Sequence, residues 1–154
     1  MKVSDHSMLR VFMGLLVALV KEVEQQQREV LASLSLAPGA SVTDIGQAFW
    51  DRLSAPELWP RIRLFYEIYG QALQGRPGTT ELLDGIISDW LAPVTELLRR
   101  HGMPEARARA HARLGLAISR GLLLDLVTTS DRAGVDEAMA LYTEMFAALG
   151  TKGL

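Results

Sequence analysis

Apolar residues recur along this chain at spacings of three, four and seven, the period of helices with one buried side. No window of four to eight residues alternates apolar and polar cleanly between turn signals, so strands are not expected. The row Leu16, Leu19, Val20, Val23, Val30, Leu31 and Leu34 predicts a helix over 13–34, with Lys21, Glu24, Gln25 and Arg28 on its outer face. Pro38 and Gly39 break it, and Ser41 or Thr43 can cap a helix over 43–53 that holds Ile45, Phe49 and Trp50. Ser54-Ala-Pro56-Glu57 is a new start signal, and Pro60 should kink or restart that helix. Beyond it Ile62, Phe65, Tyr66, Tyr69, Ala72 and Leu73 form one stripe, closed by Gly75-Arg-Pro-Gly78.

Thr79 or Thr80 is expected to cap a fourth segment whose buried side is Leu83, Ile86, Ile87, Trp90, Val94 and Leu97, with a bend at Pro93. Arg99-Arg100-His101-Gly102 ends it, cations near the negative helix end and glycine just past it. Pro104 opens a long helix reaching about residue 128. Asp131 caps the last one, where Val135, Ala138, Met139, Tyr142, Met145, Phe146 and Leu149 hold one face up to Gly150. The expectation is an all-α fold of six or seven helices.

Lys2 and Arg10 precede an apolar run over 11–20, the outline of a secretory signal. No small-x-small cleavage site follows, and Lys21, Glu22 and Glu24 continue the helical pattern, so a buried helix is the better reading. The run is also shorter than the roughly 20 apolar residues of a membrane span. The 154 residues fit one domain, and 49% hydrophobic content suffices for a packed core. With 16 basic against 18 acidic residues the formal charge is −2, which gives none of the positive excess of a typical nucleic-acid binder. The chain has no cysteine, no two of its three histidines are three or four apart, and no carboxylate or second histidine stands at ligand spacing from His111, so neither a metal nor another cofactor is expected. There is no G-x-S-x-G elbow, no H-E-x-x-H and no complete phosphate loop, which argues against an enzyme.

In the helix opened by Pro104, successive residues turn by about 100°, so Leu122, Leu123 and Leu124 span roughly 200° of circumference. Leu116, Ala117, Ile118, Leu126 and Val127 widen that arc, and Gly115 and Gly121 leave room for close backbone approach. A helix apolar on two sides is buried centrally in its own domain or shared between subunits. A symmetric homodimer through Leu116, Gly121, Leu122, Leu123 and Leu124, with Tyr142, Met145 and Phe146 of the last helix, is the expectation.

The run Arg120-Gly-Leu-Leu-Leu-Asp125-Leu-Val-Thr-Thr-Ser-Asp131-Arg132, followed by Val135 and Ala138, resembles the C-terminal domain of the TetR family of bacterial transcription regulators. Leu64-Phe-Tyr-Glu-Ile-Tyr-Gly70 and Asp84-Gly-Ile-Ile-Ser-Asp-Trp-Leu91 stand in the order and spacing of many members, so the likeness covers roughly residues 15–150. It implies a cytoplasmic, all-α, ligand-binding and dimerisation domain over 15–154 whose last two long helices pair with their symmetry mates. Residues 3–12 resemble the end of the family's DNA-binding unit, its recognition helix, with the usual turn shortened to Phe12-Met13-Gly14. Residues 1–14 then read as a remnant of that region. Direct DNA reading is not expected of a recognition helix without its scaffold, although Lys2, His6 and Arg10 would suit that role.

The resemblance also implies a small-molecule effector held among the middle helices. Candidate ligand contacts are Phe65, Tyr66, Tyr69, Trp59 and Trp90, because such sites are mainly apolar with a few phenol or indole handles, and Asp89 or Arg63 as polar anchors. His111, in an Arg- and Ala-rich stretch, is read as exposed or bonded to backbone. The alternative is an interaction module that forms mixed dimers with complete regulators and senses nothing. A filled interior around Tyr66, Tyr69 and Trp90 would favour that alternative, and a cavity would favour sensing.

Overall fold

The computed structural model describes residues 5–150, and within them the chain forms six α-helices and no strand. They are α1 (Asp5–Leu34), α2 (Val42–Leu53), α3 (Trp59–Leu73), α4 (Ser88–Arg100), α5 (Glu105–Thr129) and α6 (Arg132–Gly150), with 3-10 turns at Pro56–Leu58 and Thr80–Leu83. The helix ends follow local chemistry. Ser41 and Asp44 exchange hydrogen bonds in a capping box at α2, and the Asp131 carboxylate accepts from the Gly134 amide at 3.0 Å to cap α6. Pro60 sits in the first turn of α3, where its missing amide costs nothing, and so restarts the helix. At the end of α4, Gly102 (φ 90°) lets the amides of Gly102 and Met103 reach back to the carbonyls of Arg99 and Leu98.

Two segments depart from the periodicity reading in their course, and two more in part of their expected buried stripe, for Leu73 of α3 and Ala138, Met145 and Leu149 of α6 are exposed. Helix α1 begins at Asp5 and passes without a break through Phe12-Met13-Gly14, because one glycine costs a helix only about 1 kcal/mol and nothing else there interrupts it. Lys2 lies outside the described residues. The buried row of α1 is Met13, Val17, Val20 and Leu31, whereas Val11, Phe12, Leu15 and Leu19, from the run read as a buried helix, are all more than half exposed, because only one face of α1 meets the bundle. The helix foreseen from Thr79 or Thr80 starts only at Ser88. Gly85 adopts φ 76°, and a Cβ there would stand 2.4 Å from the Asp89 carboxylate, so the chain turns before it coils. Leu82 is buried in that turn and Leu83 is not, while Ile86 and Trp90 reach the core as expected.

Helix α5 is central, packing against α3, α4 and α6, while α1 covers α2 and α3. Its buried residues face several clusters. Leu123 and Leu126 meet Trp50, Val135 and Met139; Ala108 and Ala112 let Leu98 of α4 come close. On the other side Met13, Val17 and Val20 pack on Phe65, Ile68 and Ala72 of α3. None of the described helices is long and apolar enough to cross a membrane. Leu126 has no exposed surface, so Leu126→Ala is expected to cost about 2–5 kcal/mol through lost burial and the void it leaves, read as the loss of stability in urea unfolding.

Candidate functional site

At the centre of the molecule Arg120 of α5 points inward, its side chain only 15% exposed, and meets the Glu24 carboxylate of α1, 20% exposed. Arg120 Nη2 donates to Glu24 Oε2 at 3.1 Å and to the Ile86 carbonyl at 2.7 Å. Trp90 Nε1 of α4 donates to the same carboxylate oxygen at 2.7 Å. The guanidinium lies 5.3 Å from the centre of the Phe65 ring, and the Tyr66 hydroxyl donates to the Arg120 carbonyl. One cation thus ties together α1, α3, α4 and α5. Its second terminal nitrogen, Nη1, is buried with no partner.

Cavities flank this pair on both sides. One of about 200 Å³ lies between α2, α4, α5 and α6, walled by Phe49, Trp50, Trp90, Leu116 and Phe146. Another of about 220 Å³ lies between α1, α3 and α5, walled by Val20, Val23, Ile62, Phe65 and Tyr66. Glu24, Leu53, Arg120 and Leu123 border both, so the ion pair is part of the partition. Both are partly open to solvent, and each offers more space than the roughly 150 Å³ that suffices for benzene. His111 also lines the first, set edge-on to Phe146 at 5.4 Å, with Nδ1 buried and unpartnered. Burial pushes the Tyr66 phenol up to about 12, and burial likewise raises Tyr142, which lines the first cavity, so both rings are neutral hydroxyls at ordinary pH.

The expected ligand contacts divide three ways. Trp90 walls the first cavity, and Phe65 and Tyr66 wall the second. Tyr69, Trp59 and Asp89 lie outside both. Tyr69 packs on Phe65 at 5.6 Å, Trp59 Nε1 donates to the Ser54 carbonyl at 3.0 Å, and Asp89 is exposed on the first turn of α4 beside Gly85. Glu24 belongs inside rather than on the outer face. It stands four residues after Val20 and seven before Leu31, in the buried row itself, and that position was its sequence signal. His111 is likewise half buried, not exposed.

The trileucine is mostly roofed by its own chain. Leu123 is buried, Leu122 packs on the Trp50 cluster, and Leu124 is 47% exposed. Leu116, Tyr142 and Phe146 also face inward, because α2 and α4 lie across them. Gly121 and Met145 are exposed. With Leu114, Ala117 and Leu124 on α5 and Leu141 and Leu149 on α6, they are among the outward apolar positions of these two helices.

Arg120→Met would strand a buried carboxylate and is expected to cost about 3–5 kcal/mol. Adding Glu24→Gln keeps an acceptor for Trp90 and should recover much of that loss, a coupling that urea unfolding of the two single variants and the double variant will read. Because the folded Tyr66 stays protonated to a higher pH than an unfolded tyrosine, its contribution to stability is complete below pH ~10 and is lost as pH rises toward about 12. A phenolate absorbance titration should show late-rising absorbance that Tyr66→Phe diminishes, the remainder coming from Tyr142. No family model matches the chain, and neither curated proteins nor solved structures give a match.

Proposed function

We propose that this chain is a TetR-like effector-sensing and dimerisation domain of a transcription regulator, binding a small, largely apolar molecule without reading DNA itself. The observation that carries the reading is the cavity beside Trp90, an apolar chamber in the middle of the bundle that borders a buried ion pair joining α1 to α5. A ligand there touches α2, α4, α5 and α6 together, and binding one arrangement of those helices better than another shifts their populations. The likeness around residues 120–132 supports the family, and the all-helical fold agrees with it. The open space at Trp90 and Tyr66 counts against a module that only pairs with other chains.

Dimerisation would use the outward positions Leu114, Gly121, Leu124, Leu141 and Met145 rather than the whole trileucine. Native mass spectrometry of the purified chain is expected to give a dimer carrying a co-purified small molecule. Monomer without ligand at micromolar concentration would overturn both parts of the reading. Leu124→Glu should weaken the dimer by at least about 100-fold, since a symmetric interface would bury the new carboxylate twice.

A further inference from the structure

The outward face of α1 takes no part in the function proposed above. On it Met8, Leu9, Val11, Phe12, Leu15 and Leu19 are each between 51% and 64% exposed. Four of these, Met8, Phe12, Leu15 and Leu19, follow one another at spacings of four, three and four, and so fall within about 60° of one another around the helix. Such spacing makes the seam of a helix pair. It faces away from the bundle, because Met13, Val17, Val20 and Leu31 occupy the side that meets α2 and α3. Asp5 and Glu22 take the next seam positions in either direction, so a slip along the seam would draw a carboxylate into apolar contact. Between them the charged residues are Arg10 and Lys21, both roughly 150° or more around the helix from the seam.

The six side chains leave on the order of 550 Å² open to water, near the upper end of what a monomer exposes in one patch, and such patches are commonly functional. A second copy offers the same patch, and the two together bury roughly 1,100 Å², just above the ~1,000 Å² that a specific contact needs. An apolar face without charge calls for an uncharged partner surface, and an identical face supplies one. We propose that α1 pairs with α1 of a second copy through Met8, Phe12, Leu15 and Leu19, antiparallel about a two-fold axis between Phe12 and Leu15. Met8 then meets the partner's Leu19, and Phe12 meets the partner's Leu15. The direction follows from where each helix is held. Every residue from Asp5 to Phe12 is exposed, so the first two turns of α1 bury no side chain in the bundle. Antiparallel pairing lays each such end along the anchored part of the other helix, whereas parallel pairing sets one unanchored end on another. The outward positions of α5 and α6 are on different helices, so this contact is separate from the dimer proposed above and joins one such dimer to the next.

Sedimentation velocity of the full chain, from about 5 µM to about 500 µM, tests this by mass action. A contact near the lower size limit is weak, so the mean mass should hold at low concentration and rise about twofold or more at the top of the range. Phe12→Glu should abolish the rise while the far-ultraviolet dichroism stays unchanged, since Phe12 is exposed in the single chain. In a Leu124→Glu chain the rise should persist, so that failure of the α5–α6 dimer and failure of this contact are read apart. The chain has no cysteine, and Met8→Cys and Leu19→Cys therefore each place a single thiol on the seam. Oxidised as an equal mixture, the two variants should form the mixed disulfide at least about tenfold faster than Met8→Cys alone crosslinks to itself. A mass that stays level, or a rise that Phe12→Glu leaves intact, overturns the proposal. Faster self-crosslinking of Met8→Cys overturns the antiparallel arrangement. Binding of the unaltered chain to phosphatidylcholine–phosphatidylglycerol vesicles, removed by Phe12→Glu and without any self-association, gives this face to a lipid surface and overturns the pairing as well.

Discussion

A guanidinium held inside an apolar bundle must be answered by an anion and by hydrogen bonds, and that requirement organises this molecule. Arg120 can stay buried because Glu24 arrives from α1 at the same level and the Ile86 carbonyl is left free by the turn before α4. Trp90 then uses the same carboxylate oxygen, which fixes α4 against α1. Four helices are brought into register by one charge. A purely apolar centre could match this arrangement in stability but would tolerate sliding of the helices past one another.

A second, more peripheral knot works in the same way around the end of α2. The Ser54 carbonyl accepts from both Trp59 Nε1 and Arg132 Nη1, while Asp136 receives Trp50 Nε1 at 3.0 Å and Arg132 Nε at 2.7 Å. All three indoles therefore spend their N–H on a specific partner. The aromatic residues concentrated in the middle helices serve two purposes. Trp59 and Tyr69 fasten the scaffold, whereas Trp90, Phe65 and Tyr66 also wall the open spaces.

Helix number, order and most boundaries were legible in the sequence because they are set locally, by Pro and Gly at breaks and by Ser41, Pro104 and Asp131 at starts. The late start of α4 was not, because the positive φ of Gly85 overrides an apolar spacing that fits a helix equally well. The site was legible only in part. Periodicity assigns Glu24 to solvent because it is charged, yet Met13, Val17, Val20 and Leu31 continue through its position. Its partner is 96 residues away on α5, and pairings of that range leave no mark in one sequence. The trileucine misled for a related reason. Its circumference was counted correctly, but α2, α3 and α6 of the same chain supply most of the cover.

Paired cavities that share Glu24, Leu53, Arg120 and Leu123 leave this bundle incompletely filled on both sides of its ion pair. Both are partly open to solvent, so a molecule that fits either one displaces water instead of filling an empty hole. A molecule seated in the first would replace that water with packing against α2, α4, α5 and α6 together.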